Sequence, residues 1–269
     1  NSNKQFYGLL SESESITSKI ILHIHGMAGS YLDHNFYPEM HTYYPQNGIS
    51  FLAVEHSGTG INGAATERFE QCVEDISDWI NFVASLGYKE IWIQSHSLGT
   101  SKVAYYMNQT KDDRVKGLVF ISPSEMNGLV HDPIGQLDYD AMYPEAKDLI
   151  TKNMPDQILK HKLWESVEMS AGTFLNMFDD GSNSAIFNYA NPKLGWDVVN
   201  NISIPVLSIS GTNDDGIVTV MDANIAMDLL KSELLHSPRV KTIVYENAAH
   251  DFIGFENNIV EDVVDFIII

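Results

Sequence analysis

The sequence predicts an α/β architecture, a mostly parallel central sheet with helices on both faces, and three observations carry that expectation. Short apolar runs rich in β-branched residues recur at 19–25, 50–54, 90–94, 117–122, 205–210 and 241–245, and they read as buried strands. Amphipathic stretches lie between most of them. The clearest is 67–86, where Phe69, Val73, Ile76, Ile80 and Val83 recur at three- and four-residue steps before Gly87 supplies a stop. Strands that alternate with helices pair in parallel, because parallel neighbours need crossover connections. Functional groups are then expected at the carboxyl ends of the strands.

The third observation is an interruption. Between Pro123 and about Asn201 no strand pattern appears, and Met142, Tyr143, Trp164, Met169, Phe174, Met177, Phe178, Phe187 and Tyr189 are scattered through helical text. This apolar collection exceeds what a plain connection needs. The expected organisation is one catalytic core from residues 1–122 and 202–269, with a helical cap inserted at 123–201. Most of the cap's apolar side chains should hold it to the body, and a minority should line a pocket.

Composition narrows the function classes. With 269 residues, 44% hydrophobic and 19% charged, the chain can bury a large core and lies away from the disordered extreme. Sixteen Lys and Arg against thirty-six Asp and Glu give a formal charge of −20, which repels phosphate backbones and argues against nucleic acid as a partner. A single cysteine, Cys72, rules out an internal disulfide and a thiolate metal cluster and fits a reducing, cytoplasmic setting. No run approaches the ~18 apolar residues a membrane span requires. The expected partner is a small-molecule substrate, with a homodimer left open.

The segment 91–99, Ile-Trp-Ile-Gln-Ser-His-Ser-Leu-Gly, runs from a strand into a helical stretch at 100–108. A strand, a sharp turn and a helix are the setting of a nucleophile elbow, in which the turn projects a serine hydroxyl into the site. Ser97 occupies the nucleophile position. Gly99 lets strand and helix approach, and Ser95 stands where the Gly-x-Ser-x-Gly pattern has its first glycine. A serine hydroxyl is a weak nucleophile until an imidazole takes its proton, and a carboxylate must hold that imidazole in one tautomer. Of ten histidines only His250 follows the last strand.

Upstream, residues 20–29 form a strand that ends in His25-Gly26-Met27. Together with the elbow, this His-Gly turn resembles the α/β-hydrolase superfamily over most of the chain, from about residue 19 to 266. The resemblance implies an oxyanion hole made by the backbone N–H groups of Met27 and Leu98. It also implies an acid in the loop Gly211-Thr212-Asn213-Asp214-Asp215, with Asp214 at the matching spacing and Asp215 as the alternative. The chain order Ser97, Asp214, His250 is that of the fold. His25 is expected to brace its loop by hydrogen bonding, and His96 to pack and hydrogen-bond beside the nucleophile rather than act as a second base.

No cofactor or metal is expected, since the chain has neither a Gly-x-x-x-x-Gly-Lys loop nor a His-Glu-x-x-His helix. The polar run Glu55-His56-Ser57-Gly58-Thr59-Gly60 reads as a turn that could edge the pocket. The function expected is hydrolysis of an ester or thioester through an acyl-enzyme on Ser97. The same triad serves amide or peptide cleavage, carbon-carbon hydrolysis and acyl transfer, and a non-catalytic small-ligand binder is the reading from another class.

Overall fold

The computed structural model describes residues 5–32, 36–133, 135–179 and 181–268. Among the described residues seven strands form one sheet: β1 (Gly8–Ser11), β2 (Lys19–Ile24), β3 (Ser50–Val54), β4 (Glu90–His96), β5 (Val115–Ile121), β6 (Val206–Asn213) and β7 (Val240–Ala249). Their spatial order is β1-β3-β2-β4-β5-β6-β7, with β1 antiparallel to β3 and every other neighbouring pair parallel. The six strands expected from apolar runs all appear, as β2 to β7. The seventh, β1, is a short half-exposed edge strand whose sequence Gly-Leu-Leu-Ser carries no alternation to mark it.

The helices are α1 (Tyr37–Gln46), α2 (Gly60–Thr66), α3 (Cys72–Ser85), α4 (Leu98–Thr110), α5 (Met126–Val130), α6 (Gly135–Thr151), α7 (Ala171–Phe178), α8 (Asp197–Asn200), α9 (Asp215–Val218), α10 (Ala223–Glu233) and α11 (Glu256–Ile268). The helix expected from residue 67 begins later. Glu67 and Arg68 are extended, the Arg68 N–H donates to the Gln71 side chain at 2.9 Å, and a short 3₁₀ turn precedes α3. Gly87, at φ +101°, ends that element as the pattern implied.

Side chains alternate between the two faces of the sheet, as strand geometry dictates. Ile20, Leu22, Ile24, Leu118 and Phe120 enter one core, packed under α3, α4, α10 and the 126–202 segment. Ile21, Val119, Ile121, Leu207 and Ile209 enter the other, under α1 and α11. Both faces are therefore apolar and covered, which is why these strands read as near-continuous hydrophobic runs.

Between β5 and β6 the chain makes helices α5 to α8. The only bridges there among the described residues are the isolated pairs Ile158–Ser170 and Leu163–Val167. Of its nine large apolar side chains noted above, seven are buried, and Tyr143 and Trp164 pack partly buried against the same core. No helix among the described residues is long and apolar enough to cross a membrane.

Candidate active site

Four loops at the carboxyl ends of β2, β4, β6 and β7 bring together most of the residues singled out in the sequence. Ser97 sits between β4 and α4 with φ +54° and ψ −130°, a conformation that an L-residue adopts only when its surroundings enforce it. The enforcement is visible. The Ser97 N–H donates to the Ile121 carbonyl at 3.0 Å, and the Ser97 carbonyl accepts from the Thr100 N–H at 2.9 Å and its hydroxyl at 2.6 Å.

Small residues pack this turn against the end of β2. A Cβ on Gly99 would lie 2.5 Å from the Ile24 carbonyl oxygen and 2.6 Å from that of His25. A Cβ on Gly26 would lie 2.8 Å from the Cβ of Ser97. Ser95 is fully buried with its hydroxyl on the Val119 carbonyl at 3.4 Å, so a side chain of that size fits where the motif has glycine.

Two contacts hold the imidazole of His250 and a third holds its backbone. Its Nδ1–H donates to Oδ1 of Asp214 at 2.7 Å, and the Asp214 side chain is wholly buried. Oγ of Ser122 lies 2.8 Å from the same nitrogen, and the His96 Nε2–H donates to the His250 carbonyl at 2.8 Å. Asp215, the alternative acid, is exposed, and the carboxylate bonded to the ring is that of Asp214, which also caps α9 by accepting from the Gly216 N–H at 3.1 Å.

Burial alone would lower the His250 pKa. The hydrogen bond and charge of Asp214, with smaller contributions from Asp215 and Asp251, outweigh it and raise the value above 6.5.

Met27, Ser97, Leu98 and His250 all line one cavity of about 390 Å³. Met126, Leu129 and Trp164 add apolar wall from the segment between β5 and β6, while Asp132, Asp215 and Thr219 add polar atoms at other points of the lining. Trp164 alone among the nine large apolar residues noted in that segment reaches the cavity lining.

His25 does not face this cavity's chemistry. Its Nδ1–H donates to the Gly26 carbonyl at 2.8 Å, and its Nε2 accepts from the Thr59 hydroxyl at 2.8 Å. The Thr59 Oγ1 in turn accepts from the His56 N–H at 2.8 Å, and the His56 ring stacks on His25 with centroids 3.9 Å apart. Burial first, then the neighbouring His25 and Lys102, hold the His56 pKa well below 6.5. The run Glu55 to Gly60, read as a polar turn, is thus the brace behind the His25-Gly26 turn. A histidine and a threonine three residues apart carry no motif, and only the fold brings them to His25.

Among the described residues, Asp214, Asp215 and His250 form a trio of metal-ligand types with donor atoms within 4.8 Å of one another. That closeness is the Nδ1–Oδ1 hydrogen bond beside one exposed carboxylate, and a cation on Nδ1 would displace the bond.

The sequence matches the family model described as alpha/beta hydrolase fold over residues 19–256. No curated protein matches the chain. Among solved structures, the siderophore hydrolase EstB from Aspergillus fumigatus superposes with a TM-score of 0.75 at 11% identity, covering 98% of this chain and 95% of its own. Est1E from Butyrivibrio proteoclasticus, with ferulic acid bound, gives 0.67 at 16% identity, covering 98% and 94%. The monoacylglycerol lipase of Paleococcus ferrophilus gives 0.65 at 18% identity, covering 98% and 100%. At these identities the likeness is one of fold.

Proposed function

Because the chain belongs to the α/β-hydrolase fold family, we propose that it hydrolyses carboxylic esters or thioesters of small, largely apolar groups through an acyl-enzyme on Ser97. The observation that carries this reading is the shared cavity: Ser97 and His250 line it together, and His250 Nδ1 is bonded to the buried Asp214 at 2.7 Å. His250 takes the Ser97 proton as the hydroxyl attacks the carbonyl carbon. Asp214 keeps the proton of Nδ1 in place, so that Nε2 is the basic nitrogen, and stabilises the imidazolium that forms.

The backbone N–H groups of Met27 and Leu98 are the oxyanion donors in this scheme, each worth roughly 3 kcal/mol of barrier. The imidazolium then returns its proton to the departing alcohol or thiol, and water repeats the sequence to release the acid. Residues 123–201 act as the cap that selects the substrate, through Met126, Leu129 and Trp164. Esterase and lipase names predominate among the structural neighbours, which supports the ester reading. The proposed triad of Ser97, Asp214 and His250 is complete within one chain, so this reading asks for no residue from a second copy. The single buried thiol of Cys72 suits a cytoplasmic setting.

A fluorophosphonate probe and a p-nitrophenyl ester test the reading together. The folded protein should be labelled at Ser97, and Ser97→Ala should lose ester cleavage by roughly 10³- to 10⁶-fold. A folded protein that takes no label and turns over no ester is instead a binder of small ligands. A panel of esters, thioesters and amides with a common acyl group then separates hydrolysis of each bond from acyl transfer.

A further inference from the structure

The acyl-transfer scheme uses one partner for His250 Nδ1, yet the nitrogen has two oxygens against it: Oδ1 of Asp214 at 2.7 Å and Oγ of Ser122 at 2.8 Å. Ser122 follows β5 and is fully buried. Its backbone has φ +52°, and its N–H donates to the Ile209 carbonyl at 2.7 Å, which ties the end of β5 to β6. Asp214 comes from the loop after β6. The two oxygens therefore reach the imidazole from the ends of adjacent strands.

An imidazole nitrogen carries one proton or none, and an ionised carboxylate can only accept. With Asp214 in contact, Nδ1 is the protonated nitrogen, and the Ser122 hydroxyl oxygen must receive that proton rather than supply its own. We propose that Ser122 is a second positioning residue for the base, sharing the Nδ1 proton with Asp214 in a three-centre hydrogen bond. A single acceptor leaves the ring free to swing about the line from nitrogen to oxygen. A second acceptor on another strand removes that freedom and keeps Nε2 turned to Ser97. Gly216 closes the remaining side: a Cβ there would lie 2.5 Å from Ser124 Oγ and 2.7 Å from Cε1 of His250. The inference rests on the reading of His250 as the base.

Two single variants and one exchange test it. Ser122→Ala and Ser122→Gly both remove the hydroxyl, but glycine suits the positive φ better than alanine, so their effects on stability should differ. Turnover should nevertheless fall alike in both, by about 10-fold with KM unchanged, because only the aim of the base is lost. Ser122→Asp combined with Asp214→Ser conserves charge and composition, places at 122 a residue type that tolerates a left-handed backbone, and leaves a competent helix cap at 214. It should recover at least ~10-fold over Asp214→Ser alone, which should itself lose roughly 10³-fold.

Ser122 variants that keep wild-type kcat, or whose kcat losses follow their melting temperatures, overturn the proposal even if the exchange fails to fold. An Asp214→Ser protein with wild-type turnover overturns instead the reading of the site beneath it.

Discussion

At the scale of single residues, the electrostatics of His250 and its chemistry pull in opposite directions along the pH axis. In the proposed mechanism the ring must be neutral to accept the Ser97 proton, and burial favours the neutral form, but Asp214 with Asp215 and Asp251 raises the pKa above 6.5. The acid limb of kcat/KM should therefore have its midpoint above 6.5, with activity lost as pH falls through it. Stability runs the other way: a raised folded pKa contributes stability that is fully present below the unfolded value and disappears as pH rises through the folded one. Asp214→Asn should move the midpoint of the acid limb downward and cut kcat by roughly 10⁴-fold. A pH–rate profile of both proteins checks this, and a midpoint that stays in place would remove Asp214 from its role. Ser97 and His250 could be singled out in the sequence because the proposed reaction type demands those residue types, and the fold sets both on one cavity. Ser122 and Thr59 were not, since a lone hydroxyl acquires meaning only from what the fold sets beside it.

At the scale of elements, the segment that enters α5 holds a carboxyl group in an uncomfortable place. Glu125 is fully buried, accepts the Ala190 N–H at 2.7 Å, and so joins the end of β5 to the polypeptide before α8. Burial outweighs the backbone donors of Ala190 and Tyr189 and pushes its pKa up to about 7. Between the ordinary carboxyl range and pH 7 the unfolded chain gives up this proton while the folded one keeps it, so stability falls as pH rises and levels off above 7. Glu125→Gln preserves the acceptor for Ala190 and removes the titration. It should gain about 2–3 kcal/mol at pH 8 and little at pH 4.5, read from thermal melts at the two values. Equal gains at both would deny the burial cost. Elements differed in how openly the sequence declared them. β2 to β7 are buried on both faces and announce themselves as apolar runs, whereas β1 is an exposed edge of four residues with nothing to distinguish it. The start of α3 was displaced because the Gln71 side chain, not periodicity, sets where its first turn begins.

At the scale of the whole molecule, the charge of −20 meets a cavity whose described lining contains Asp132 and Asp215 and neither Lys nor Arg. A polyanionic substrate approaches against that field. Acyl-coenzyme A thioesters should be cleaved with a kcat/KM at least ~10-fold below that of a neutral thioester with the same acyl chain, and the gap should narrow as salt shortens the Debye length to ~3 Å at 1 M. Steady-state kinetics of the pair at low and high salt decides it, and an equal preference at low salt would show that the field does not reach the site. The close seating of Gly26 and Gly99 has a consequence of another kind, for the mutational tolerance of this cavity. The floor consists of two turns in direct contact, so any added carbon at either glycine displaces the backbone of the other loop. The opposite wall consists of side chains, Met126 and Leu129 from α5 and Trp164 from a loop between α6 and α7, which can be enlarged or trimmed one at a time. Variant libraries selected for new substrates should accumulate their changes in that wall and leave the floor untouched.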